Sequence, residues 1–165
     1  VLALSAFVGV SQYIPSTNEE MIAAGTPTSE HDGLVAEIKK DLKIENTQIK
    51  VLLGPYYEKI GSVGWLLKDP PNGYYVLVDK GFYELLTPSE RKMLMAHELG
   101  HVVFTSPVRI EELPAIGLQI SADLFALKYT DLESAKSFLD KLYPLDYEKE
   151  VPEYKLRKMI LESLR

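Results

Sequence analysis

His97-Glu98-Leu99-Gly100-His101 sets two imidazoles four residues apart, with a carboxylate directly after the first. On a helix, residues four apart share a face, so both rings can converge on one metal ion, and zinc is the ion this pattern holds. Glu98 is turned about 100° from His97, which lets its carboxylate reach a water on that ion without ligating it. The chemistry such a set performs is hydrolysis by a metal-activated water, with Glu98 as general base. The flanking residues Met93, Leu94, Met95, Ala96, Leu99, Val102, Val103 and Phe104 are apolar and imply a largely buried helix. Two histidines and a glutamate buried there need polar partners, and a metal supplies them.

The motif helix has an unusually complete start. Thr87 suits the N-cap, Pro88 the first helical position, and Glu90 closes a capping box, so the helix should run from Pro88 to about Phe104, ahead of Ser106-Pro107. Gly100, mid-helix, costs about 1 kcal/mol against Ala, and its missing side chain would admit another backbone, such as a strand. Upstream, Leu34, Val35, Ile38 and Leu42 recur at helical spacing over Gly33 to Lys43. Gln48 to Leu53, Ser62 to Lys68 and Tyr74 to Asp79 read as three strands, the last two joined by the turn Asp69 to Gly73. Phe82 to Leu86 reads as a helical turn. Further helices are expected over about Ile110 to Tyr129, Leu132 to Leu142 and Pro152 to Leu164. The expected class is α+β: a small antiparallel or mixed three-stranded sheet packed on the motif helix, with further C-terminal helices.

Catalytic zinc usually has three protein ligands and a water, so a third donor is needed. The next long helix can pack antiparallel beside the motif and carries Gln119-Ile120-Ser121-Ala122-Asp123-Leu124-Phe125-Ala126. The block LTPSERKMLMAHELGH followed by Q-x-x-A-D-x-F-A resembles the gluzincin metallopeptidases. It is most similar in kind to the CAAX prenyl protease and HtpX-type heat-shock peptidases and to the minigluzincins. The resemblance spans Tyr74 to Tyr129 and includes YYVLVDKGFYELL ahead of the motif helix. It implies a zincin-like fold, zinc as cofactor, and endopeptidase activity on a protein or peptide substrate. It makes His97 and His101 metal ligands, Glu98 the general base, and Asp123 a carboxylate that hydrogen-bonds a ligand histidine. The family's ligand glutamate falls on Gln119, a departure: a neutral carbonyl oxygen donates more weakly and leaves the ion at full charge. Either Gln119 or Asp123 is then the third ligand, with the other supporting it. Glu112 or Glu111 could also swing in, although a carboxylate pair at a helix N-terminus is favourable for its own sake.

Other assignments follow from position and composition. Tyr129, Tyr143 and Tyr147 are candidates to steady the oxyanion. SVGWLLK or YYVLVDK could align a substrate as an added strand, while Trp65 itself is expected in the core. His31, in the polar stretch TSEHDG, is expected on an exposed loop, from which that stretch could fold across the site; the C-terminal helix could cover it likewise.

The chain of 165 residues is 46% hydrophobic and 25% charged, which fits one globular domain and excludes wholesale disorder. A net charge of −6 and the lack of a basic block argue against nucleic-acid binding. Zero cysteines exclude disulfides, thiolate zinc sites and cysteine nucleophiles. Residues 1–31 read as an apolar stub, VLALSAFVGV, and a polar linker; residues 32–165 read as the single zincin-like domain. The stub is too short to span a bilayer, which takes roughly 20 apolar residues. It fits a buried first element, an amphipathic contact, or the remainder of a membrane tether upstream of residue 1. The rival functional reading is a non-catalytic zincin-like domain that binds protein, with Gln119 marking a degenerate site.

Overall fold

The computed structural model describes residues 17–60, 62–69, 73–103, 114–143 and 152–164. The chain is α+β. Its elements are α1 (Asn18–Ala23), β1 (Thr26–Thr28), α2 (Asp32–Asp41), β2 (Gln48–Gly54), α3 (Tyr56–Ile60), β3 (Gly64–Asp69) and β4 (Gly73–Asp79). Then follow α4 (Lys80–Glu84), α5 (Pro88–Val103), α6 (Pro114–Ala126), α7 (Leu132–Leu142) and α8 (Pro152–Ser163).

The sheet has four strands in the order β1-β2-β4-β3, not the three expected. It is mixed: β1 and β3 pair antiparallel with their neighbours, while β2 and β4 run parallel from Gln48↔Gly73 to Gly54↔Asp79. Consecutive residues of β2 and β4 are buried because the sheet is covered on both faces. Val51, Val76 and Val78 join the large core with Leu34, Ile38, Met93, Met95 and Leu99. Leu52, Leu67 and Leu77 point the other way, against Met21 and Tyr56. Gly73, at φ +131, lies so close to β2 that a Cβ there would overlap the Gln48 carbonyl, so glycine is required where β4 begins.

The second layer corrects the linker reading. Residues 17–31 carry α1, closed by a capping box between Thr17 and Glu20, and β1, which extends the sheet. Met21 is the anchor that makes this segment structural, since its side chain seals the back of the sheet. Residues 1–16 lie outside the described residues.

Trp65 is not in the core. It is half exposed, because β3 is an edge strand and the layer that buries Leu67 does not reach over residue 65. His31 is also corrected: it is buried, with its ring nitrogen Nε2 sharing a 2.6 Å hydrogen bond with the Tyr83 hydroxyl. It precedes α2 without capping it, because the ring turns inward. Arg91 stacks over Tyr83, 4.4 Å from the ring centre, and pairs with Glu30 at 3.3 Å, which closes this corner of the molecule. No helix among the described residues is long and apolar enough to cross a membrane.

Candidate active site

The predicted capping box forms at the start of α5. The Thr87 N–H donates to Glu90 at 2.7 Å and the Glu90 N–H donates to the Thr87 hydroxyl at 3.3 Å. The other Glu90 oxygen accepts from Ser137, and Lys141 donates to the capping oxygen at 2.6 Å, so α7 is tied to the same point. This fixes where α5 begins and hence which face the motif presents. Met93, Met95, Ala96 and Leu99 are fully buried, and His97 and Glu98 are nearly so.

Gly100 does admit a close backbone, but it belongs to α6 and not to a strand. A Cβ at residue 100 would sit 3.1 Å from both the Ala122 Cα and the Phe125 ring. This contact draws α6 against the motif helix and brings Gln119 and Asp123 to His97. Gly100→Val is therefore expected to destabilise the fold by about 1–3 kcal/mol through overpacking. Thermal unfolding checks this; an unchanged melting temperature would show that α6 can move aside freely.

The two α6 side chains meet opposite edges of the His97 ring. Asp123 Oδ1 lies 2.8 Å from Nδ1, and Gln119 Oε1 lies 2.9 Å from Nε2. The Nδ1–H donates to ionised Asp123; Nε2 meets Gln119 either as an N–H donor to the amide oxygen, in the doubly protonated ring, or as a lone pair, in the neutral ring. The 2.9 Å separation is that of a hydrogen bond between the ring and the Gln119 amide; two donors sharing a tetrahedral zinc stand about 3.3 Å apart, so a bound ion would spread this pair slightly. The His101 ring stands 5.0 Å from that of His97 at 87°. Two imidazoles bound tetrahedrally to zinc, at about 2.0–2.1 Å per nitrogen, have ring centres roughly 5 Å apart. The spacing of the two histidines suits a zinc ion, and the donor set that could hold one lacks a carboxylate. It contains two histidines and a glutamine; among the described residues no three His, Cys, Asp or Glu side chains are grouped to hold a metal.

Burial sets the charge states. It pushes the Glu98 carboxyl above its usual range, against the pull of His97 and Arg157. It holds His101 down to about 4, helped by His97 and by the Arg157 charge, so that ring is neutral and has an electron pair to give. Burial would raise Asp123 too, but its bonds to His97 and Arg157 outweigh that and keep it ionised. Glu98 faces the edge strand, where a Cβ on Gly64 would overlap its carboxylate. Glycine at this point makes the room in which Glu98 sits.

Of the remaining candidates, Tyr129 donates to Asp41 at 2.8 Å and Tyr143 donates to Glu153 at 2.9 Å. Both hydroxyls are engaged with carboxylates of other helices. Tyr147, Glu111 and Glu112 lie outside the described residues.

One residue at the site was missed in the sequence. Arg157 of α8 is buried and holds Asp123 with two bonds, Nε to Oδ2 at 2.7 Å and Nη2 to Oδ1 at 2.8 Å. The signal was there: Arg157 falls at helical spacing between Tyr154 and Leu161, both fully buried, and so lies on the apolar face of α8. No protein-family model matches this chain, and no curated protein or solved structure matches it significantly.

Proposed function

We propose that the chain is a zinc-dependent endopeptidase of zincin-like architecture. The observation that carries the reading is the pair of His97 and His101 rings, 5.0 Å apart on α5, with Gln119 Oε1 2.9 Å from His97 Nε2 and Glu98 buried beside them. In this reading His97, His101 and Gln119 hold the metal. Asp123 stands on the far edge of the His97 ring with both oxygens engaged, so it orients that ring and does not ligate. Zinc, when bound, supplies a Lewis acid that acidifies a water and polarises the scissile carbonyl. Glu98 would take a proton from the attacking water as its oxygen adds to the scissile carbonyl carbon, and would return it to the amine nitrogen as the C–N bond breaks; a carboxyl raised by burial is better matched to both tasks. Substrate alignment falls to β3, which ends the sheet, since β4 is paired on both sides.

The rival reading, a protein-binding domain without catalysis, draws on the neutral Gln119 in place of a carboxylate. Metal content separates the two. Protein purified without added zinc is expected to carry about one ion per chain, and His97→Ala is expected to lose it. Elemental analysis checks both. No zinc after soaking in excess metal would overturn the enzyme reading and leave the binding domain.

A further inference from the structure

The buried Arg157–Asp123 pair asks for an explanation beyond stability. Both residues are 2% exposed, and burying two charges is costly enough that well-packed apolar residues would often stabilise the fold as much or more. What an apolar pair cannot do is fix the direction of a carboxylate. The Arg157 fork grips both Asp123 oxygens, at 2.7 and 2.8 Å, which removes the freedom of that carboxylate to rotate. Oδ1 is thereby held 2.8 Å from His97 Nδ1, the ring is held in one tautomer, and Nε2 is aimed at Gln119. Arg157 is itself braced: Nη1 donates to Glu153 at 3.3 Å and to the Tyr143 hydroxyl at 3.5 Å. The series runs from the C-terminal helix through Arg157 and Asp123 to the ligand histidine.

We propose that Arg157 is a positioning residue for the metal site, so that α8 completes the site from behind. The inference rests on the zinc reading of His97, His101 and Gln119. It also assigns α8 a supporting role on the Nδ1 side of His97, opposite the edge that faces Gln119. Because neutral Gln119 lends the metal little, the aim of His97 matters more here than in a site with a third anionic ligand.

The test measures zinc affinity by chelator competition on wild type, Arg157→Lys, Arg157→Gln and Leu161→Ala, with folding checked by circular dichroism and melting temperature. Lysine keeps the charge but cannot fork onto two oxygens. Glutamine, the second variant, keeps one donor and no charge. Leu161→Ala weakens the packing of the same helix without touching Asp123. Both Arg157 variants are expected to bind zinc about 10- to 100-fold more weakly, with a shifted His97 ring ¹⁵N resonance. Leu161→Ala is expected to melt lower and bind zinc as wild type does. In an Asp123→Asn background, Arg157→Lys should add little further loss, since both act through the same carboxylate. Wild-type affinity in a folded Arg157 variant, or an equal loss in Leu161→Ala, would overturn the proposal and leave Arg157 a purely structural residue. A wild-type chain that binds no zinc would overturn the metal site itself, and this inference with it; that outcome is distinguished because it is read before any variant is made.

Discussion

Glu98→Gln is expected to lower kcat/KM on peptides by about 10²- to 10⁴-fold while bound zinc stays unchanged. Glutamine has the shape of glutamate and can occupy the room that Gly64 leaves, so the packing of α5 under β3 is preserved. What it cannot do is take a proton. Neither imidazole can substitute, because in this reading both donate their electron pairs to the metal and the one N–H of His97 is already given to Asp123. Cleavage of an unstructured peptide library, read by mass spectrometry, measures the rate, and elemental analysis measures the metal. A variant as active as wild type would remove Glu98 from the mechanism. A variant that loses its zinc would make Glu98 a ligand instead of a base.

The second large effect concerns stability and pH. Burial would raise the Glu90 carboxyl, but hydrogen bonds from Lys141, Ser137 and the Thr87 backbone outweigh it and pull the value from 4.5 to about 2. A carboxyl lowered on folding contributes stability that is present above its unfolded value and lost as pH falls through the folded one. The window here runs from about pH 4.5 down to about pH 2. Each tenfold change in proton affinity is worth roughly 1.4 kcal/mol, so the contribution at neutral pH is about 3.5 kcal/mol before solvent screening and about 2–3 kcal/mol after it. The lower end is favoured because Lys141 stands partly in solvent. Glu90→Gln should therefore unfold at lower urea than wild type at pH 7, and the gap should shrink to about 1 kcal/mol or less near pH 2.5. Titratable groups common to both proteins cancel in that difference. A gap of equal size at both pH values would mean that the hydrogen bonds alone, and not the ionised charge, hold α5 to α7.

Much of the fold was legible because it rests on local rules. The capping box forms at Thr87 and Glu90 as expected, and α5 is described from Pro88 to Val103, with the expected stop near Phe104 outside the described residues. The α2, α7 and α8 spans follow from apolar spacing, and β2, β3 and β4 from short β-branched and aromatic runs between turn residues. The linker reading of residues 17–31 failed for a local reason too: Thr17 and Glu20 carry the same capping pattern as Thr87 and Glu90, but the polar composition around them masks it. The sealing role of this segment could not be read locally, since Met21 becomes an anchor only once Leu52 and Leu77 are turned toward it.

Spacing within single elements already specifies the candidate set: two histidines and a glutamate on one helical turn, a glutamine and an aspartate four residues apart on another, and a helix start that sets the register of the first. These depend on spacing along one element, where the chain's own geometry fixes which residues share a face. How the elements come together is a matter of packing between them. Packing runs β2 parallel to β4, puts Trp65 on an edge, buries His31 against Tyr83, and brings α6, not a strand, as the close backbone at Gly100. It also places Gln119 and Asp123 at opposite edges of one imidazole, and sets Arg157 behind the aspartate. Those outcomes join residues up to 52 positions apart. They follow from which surfaces remain to be covered once every local element has formed, and no window along the chain contains that information.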